Sequence, residues 1–177
     1  MKKTGEFFIP DQSTPYEISV NLERYLFALQ FCKDKIVLDA GCGMGLGTYL
    51  YSLVAKRVIA VDHNVEALKY VNRFPFEPRN KVNFIEADLE KDILPDHELT
   101  IALESIEHLG SPDFFLSQLK SKELIFSIPL NSLNISVFHK YDFKSLEDIK
   151  EVLERYYKID EYFIQKNRWV YGKAIKL

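Results

Sequence analysis

The sequence predicts an α/β protein built on a single doubly wound, mostly parallel seven-stranded sheet whose last strand is reversed. Three observations carry this. Short apolar runs, several ending in an acidic residue, alternate with segments of helical period, the pattern of a parallel sheet covered on both faces. A glycine-rich turn follows the first run, at Gly41, Gly43, Gly45 and Gly47. The last two strand-like segments are separated only by a short turn, which antiparallel neighbours alone permit.

The elements follow in order. Residues 1–15 read as a loop arm with prolines at 10 and 15. Ile18, Leu22, Tyr25, Leu26 and Leu29 recur at three- and four-residue steps and predict a helix over 16–30. Strand one is 36–40 with a helix over 46–55; strand two is 58–62 with a helix over about 64–72. A loop with two prolines spans 73–81, strand three is 82–86, an acidic loop covers 90–98 and strand four is 99–103. The helix at 112–120 has Ser111 as N-cap and Pro112 at its first position. Strand five is 123–128. The helix at 145–156 starts at Ser145, with Glu147 and Asp148 placed well for its dipole. Strands six and seven are 159–166 and 169–176, and the arm and residues 129–143 are left to cover the site.

At 177 residues the chain reads as one domain, 1–177, large enough to bury about two-thirds of its unfolded surface. Its 47% apolar and 28% charged content fits a globular chain. A net charge of −3 does not suggest a nucleic-acid binder, and no nucleic-acid partner is expected. Residues 162–177 hold Lys166, Arg168, Lys173 and Lys176 and no acid. They read as exposed cations on an edge strand, or alternatively as contacts for an anionic substrate. Cys32 and Cys42 have no metal-ligand spacing and read as reduced. Met1-Lys2-Lys3 is not followed by an apolar stretch, and no run reaches membrane-spanning length. A cytoplasmic monomer or homodimer without a membrane partner is expected.

The stretch Ile36-Val37-Leu38-Asp39-Ala40-Gly41-Cys42-Gly43-Met44-Gly45-Leu46-Gly47 points to a small ligand pressed against a bare loop. It does not fit a dinucleotide. A G-x-G-x-x-G frame from Gly41 meets Leu46, and one from Gly43 meets Thr48. Asp39 is a poor neighbour for phosphate and a good one for a cation. S-adenosylmethionine (SAM), with a sulfonium and an ammonium and no phosphate, fits better. Asp62, ending strand two about twenty residues past the first glycine, can accept the ribose hydroxyls; its other reading is a helix cap, although Asn64 is placed for that role. Asp88 can accept from the adenine amino group with Leu89 beside it, or be an ordinary loop aspartate.

This series resembles the class I SAM-dependent methyltransferases: Val37–Gly45 for their first motif, Asp62 for the acid ending strand two, and Asp88 for the acidic loop after strand three. Glu104-Ser105-Ile106-Glu107-His108 is similar to the Glu-x-x-Glu-His element of ubiquinone-biosynthesis-like methyltransferases. Gly5–Pro10, Leu22–Ala28 and Phe138–Phe143 look like segments of methyltransferases associated with bacterial glycan synthesis, except that Phe7 stands where that pattern has Arg.

The resemblance implies a fold with seven strands, SAM as methyl donor with S-adenosylhomocysteine (SAH) as product, and a small-molecule or glycan-type acceptor methylated at oxygen. It places Asp39, Gly41, Cys42, Gly43, Asp62, His63, Asp88, Leu89 and Glu104 with the cofactor. Tyr16 near the sulfonium and Arg24 against the methionine carboxylate would join them, Arg24 otherwise being a solvated helix charge. His108 is the first candidate for a base, flanked by Glu107. In the relatives such a group is implicated in holding a divalent cation, and a structural network is the third reading; no metal is assigned. His139 is placed over the acceptor or before the next helix as a cap. His97 is expected to be uninvolved. The rivals are a catalytically silent SAM-binding subunit and an aminopropyl transferase.

Overall fold

The computed structural model describes residues 8–71, 79–132 and 136–177. Residues 1–7, 72–78 (most of the predicted 73–81 loop) and 133–135 lie outside the described residues. The described chain runs α1 (Pro15–Leu29), β1 (Ile36–Ala40), α2 (Leu46–Ser52), β2 (Arg57–Asp62), α3 (Val65–Val71), β3 (Val82–Glu86), β4 (Leu99–Leu103), α4 (Pro112–Gln118), β5 (Glu123–Pro129), α5 (Leu146–Leu153), β6 (Tyr157–Gln165) and β7 (Trp169–Lys176).

All seven strands join one sheet in the order β3-β2-β1-β4-β5-β7-β6. β1 pairs in parallel with β2 on one side and β4 on the other, so the strand order reverses between them, where ligands of open α/β sheets bind. β7 is antiparallel to both β5 and β6, as predicted. β6, not β7, is the edge. Lys173 and Lys176 therefore sit on an interior strand, which corrects their reading as edge-strand cations. Lys173 pairs with Asp160 at 2.8 Å, its ammonium 5.4 Å from the centre of the Phe31 ring.

Alternation along β1 explains its continuous apolar run. Leu38 faces one core layer with Ile59, Ala102, Phe126 and the α4–α5 residues Phe115, Ile149 and Leu153. Val37 faces the other with Val58, Ile101, Ile125 and the α1–α2 residues Ala28 and Tyr51. Each buried large apolar side chain contributes about 1.5–3 kcal/mol relative to exposure. Both sheet faces are thus covered, and the strand ends are what remains for function.

Local chemistry fixes the helix starts. Thr14 and Glu17 form a capping box at α1, and Ser145 and Asp148 form one at α5. Ser111 takes the N-cap position of α4 but makes no cap bond, its hydroxyl donating to Asp113 at 3.3 Å. Helix ends depart further from expectation: α2 and α4 are shorter than predicted and α5 ends at Leu153. β6 consequently begins at Tyr157, two residues sooner. The cause is tertiary: Tyr157 is fully buried and its hydroxyl donates to the Ser121 carbonyl at 2.9 Å.

Candidate active site

The β1–α2 turn is the bare loop the sequence predicts. Gly41, Gly43 and Gly45 have φ of 76°, 51° and 80°, a region that favours glycine. A Cβ at Gly41 would sit 2.6 Å from Ser105 Oγ. The loop is tied down from β2: Gly41 N and Cys42 N both donate to the Val61 carbonyl, at 2.8 and 2.9 Å.

Two neighbouring cavities of about 320 and 380 Å³ share Gly41, Glu104 and His108, within the size range of small-molecule sites. The first is lined by Asp62, His63, Ala87, Asp88, Leu89 and Val137, among others. The second extends over Cys42–Leu46 toward Arg24, Glu107, Ser132, His139 and Trp169. The β4 corner thus lies between a side lined by Asp62 and Asp88 and a side lined by the glycine turn, Arg24 and His139.

The carboxylates of the first side are already engaged. Asp62 Oδ2 accepts from Gly43 N and Oδ1 from Asn64 N, each at 2.8 Å, so it fastens the loop and lines the cavity. Asn64 itself caps α3, accepting from Glu66 N and Ala67 N. His63 lies with Nδ1 3.7 Å from Asp62 and is largely exposed. Asp88 accepts from Lys91 Nζ at 2.7 Å and Glu90 N at 2.9 Å; these bonds, that from Lys91 first, hold its carboxyl below the usual range. Asp39 lines neither cavity. It is buried beneath the loop, accepting from Thr48 Oγ1 at 2.5 Å, and burial pushes its carboxyl up to about 7.

Glu104, at the end of β4, is a non-glycine residue with φ of 51°, a conformation that persists only where its surroundings hold it. They do. Its carboxylate accepts from Ser127 Oγ at 2.7 Å and Trp169 Nε1 at 2.8 Å, and lies 3.5 Å from Arg24 Nη1. Arg24 is buried and also 5.1 Å from the Trp169 ring centre, so it is no solvated helix charge. Tyr16 is exposed and lines neither cavity; the structure does not bring it to the site.

Beyond Glu104 a single 3-10 turn carries Glu107 and His108. Glu107 is fully buried and neither carboxyl oxygen makes a hydrogen bond. Burial above all, then the neighbouring Glu104, drives its pKa well up. His108 Nδ1 lies 3.1 Å from the Phe138 carbonyl, and its ring meets His139 edge to face at 4.7 Å. The carbonyl fixes the tautomer with the proton on Nδ1, so Nε2 is the basic atom. Burial lowers the His139 pKa, keeping that imidazole neutral. Glu107, His108 and His139 bring one ligand atom each within 4.8 Å of one another. Lys140 N and Tyr141 N donate to the Glu107 carbonyl at 2.8 and 3.0 Å, and Lys140 Nζ reaches Glu90 at 2.6 Å. The segment carrying His139 is thus latched over the cavity. His97 is remote, bonded to the Pro95 carbonyl and Thr100 Oγ1.

Sequence reasoning missed Ser127, Ser132 and Trp169. The signal for Trp169 is the β5–β7 register, which sets it opposite Pro129 at the sheet's ligand end. That pairing is non-local.

Residues 37–121 match a family described as a methyltransferase domain. The chain is 34% identical over 127 residues to a probable S-adenosylmethionine-dependent methyltransferase of Mycobacterium tuberculosis, covering 65% of this chain and 42% of that protein. Over its central part the chain is thus similar to SAM-dependent methyltransferases. A ubiquinone biosynthesis O-methyltransferase of Rickettsia bellii is 28% identical over 120 residues, covering 66% of this chain and 49% of that one. The chain spans about half the length of these curated relatives. The crystal structure of the N-methyltransferase NodS from Bradyrhizobium japonicum shares the fold with a TM-score of 0.74 at 14% identity, over 93% of this chain and 98% of that one.

Proposed function

We propose that this chain transfers the methyl group of SAM to an oxygen of a small-molecule or glycan-type acceptor, with His108 as the base. The carrying observation is the pair of cavities meeting at Gly41, Glu104 and His108. The first fits an adenosine: Asp62 and Asp88 offer acceptors to hydroxyl and amino groups, Leu89 and Val137 offer apolar surface, and the carboxylates disfavour phosphate. The left-handed glycines let a ligand touch the main chain. Arg24 Nη1, buried and without a hydrogen bond, suits the carboxylate of the methionine part. When bound, SAM supplies a methyl already activated by its positive sulfur.

The chain's own residues then orient the acceptor and take its proton. His108 Nε2 accepts the hydroxyl proton, and the Phe138 carbonyl stabilises the resulting imidazolium through Nδ1–H. A positioned base is typically worth about 10²–10⁴-fold. The O-methyltransferases among the relatives support oxygen as the methylated atom.

His108→Ala tests this. Turnover with an acceptor found by screening should fall about 10²-fold or more, with SAH affinity unchanged within about twofold. Normal specific activity in a less heat-stable variant would leave His108 a network residue. One observation favours a second reading: the Glu107, His108 and His139 ligand atoms lie close enough for a divalent cation. If magnesium raises wild-type turnover and Glu107→Ala and His139→Ala both lose the response, the cation reading replaces the base.

A further inference from the structure

We infer that the acceptor carries an anionic group, a carboxylate or a phosphate ester, and that Arg168 binds it on the face of Trp169 in the second cavity. The inference rests on the proposed function for calling this ligand the acceptor. The binding corner itself stands on geometry.

The β6–β7 turn fixes Arg168. Lys166 and Asn167 both have left-handed φ, 53° and 52°, and Arg168 N donates back to the Gln165 carbonyl at 3.0 Å. On the other side the Arg168 carbonyl accepts from Leu130 N at 2.7 Å. The backbone is therefore held between the turn and the end of β5. Its guanidinium lies 4.7 Å from the Trp169 ring centre, within cation–π reach. Trp169 is held in turn by its bond to Glu104.

Charge accounting around this cavity isolates Arg168. Three glutamates line it: Glu17, Glu104 and Glu107. Glu17 Oε2 takes the Thr14 amide and hydroxyl at the start of α1. Glu104 faces Arg24, Ser127 and Trp169. Glu107 is fully buried, and burial pushes its carboxyl well above the usual range. Arg24 Nη1 makes no hydrogen bond but has the Glu104 carboxylate 3.5 Å away, whereas Arg168 has no carboxylate partner among the described residues. Its charge reaches the cavity: after burial, Arg168 is a further cause lowering the His139 pKa.

A second, independent observation points to a ligand in the same cavity. Ser132 lines this cavity, is 1% exposed, and its Oγ makes no hydrogen bond. A buried hydroxyl without a partner is costly. An anionic oxygen placed between Arg168 and Ser132 would satisfy the hydroxyl and the guanidinium together. Charge-assisted bonds of this kind are the strong ones.

The chain has one tryptophan, so its emission reports on this corner. SAH-saturated protein in EDTA would be titrated with benzoate, phenyl phosphate and benzyl alcohol, read by fluorescence and calorimetry. The anions should bind at least about tenfold more tightly than benzyl alcohol, one charge-assisted contact being worth about a factor of ten. Preference between benzoate and phenyl phosphate tells carboxylate from phosphate. Arg168→Gln should remove the anion preference while SAH affinity stays within about twofold, and Arg168→Lys should restore part of it. Equal binding of benzyl alcohol, anion affinity indifferent to Arg168→Gln, or displacement of SAH by the anions would each overturn the inference. If SAH itself does not bind, the proposed function fails, and the same titration on the ligand-free chain still decides whether the corner holds anions.

Discussion

The two sides of the β4 corner treat polar groups in opposite ways. On the loop side each aspartate is engaged: Asp39 by Thr48, Asp62 by Gly43 and Asn64, Asp88 by Lys91 and Glu90. On the other side the Glu107 oxygens, Ser132 Oγ and Arg24 Nη1 are buried without hydrogen bonds. A cavity whose acids already hold the main chain is shaped before its ligand arrives. A cavity with buried polar atoms left unmatched is completed by what enters it. The first arrangement gives a fixed platform; the second makes stability and ligand binding compete.

Substitutions can break or sharpen this contrast. The largest effect is expected at Gly41→Ala, which forces a strained φ and drives a Cβ into Ser105. A loss on the order of 3 kcal/mol of stability should follow, seen as a lower urea midpoint with SAH binding weakened beyond detection. A Gly41→Ala protein of normal affinity would show the loop to be pliable. Asp62→Ala should weaken SAH binding by about 1–3 kcal/mol by calorimetry. Unchanged affinity in a folded variant would reduce Asp62 to a fastener of the loop.

On the other side the sign should reverse. Glu107→Gln keeps the shape and removes the ionisable group, so unfolding at pH 8 should need more urea than in the wild type, by about 1 kcal/mol. The pH dependence follows. A carboxyl whose pKa is raised on folding binds more protons in the native state. Its stabilising effect is full below the unfolded pKa and declines as pH rises toward the folded value. Glu107→Gln should flatten that decline. His97 acts oppositely: burial lowers its pKa, so its effect is present above the unfolded value of about 6.5 and lost as pH falls through the folded one. The smallest effect is Thr14→Ala, about 0.5–1 kcal/mol through the lost cap bond, with SAH affinity unchanged.

The same contrast explains what was legible. β1 to β4 and the glycine turn are local patterns, short apolar runs and backbone demands, and these strands match their predicted ranges to within a residue. Asp62 and Asp88 follow their strands directly, so sequence placed them at the first cavity. The second cavity is assembled from pieces far apart in the chain: Arg24 from α1, Glu107 after β4, Ser132 and His139 after β5, Trp169 from β7. Nothing near position 24 announces its pairing with Glu104, eighty residues away. Tyr16 went wrong for the related reason that helix phase decides its exposure. The cations of residues 162–177 needed the sheet order, which puts β7 inside.

One carbonyl ties the dynamics of the two sides together. The Glu107 C=O receives the amides of Lys140 and Tyr141, while its side chain sits in the unmatched cavity. These two amide protons are shielded only while the segment carrying His139 rests on the 3-10 turn. Their solvent exchange is therefore a clock for how often that segment lifts, readable residue by residue without any acceptor in hand. A ligand that satisfies the cavity should slow the clock, and the slowing measures how far opening and occupancy exclude each other.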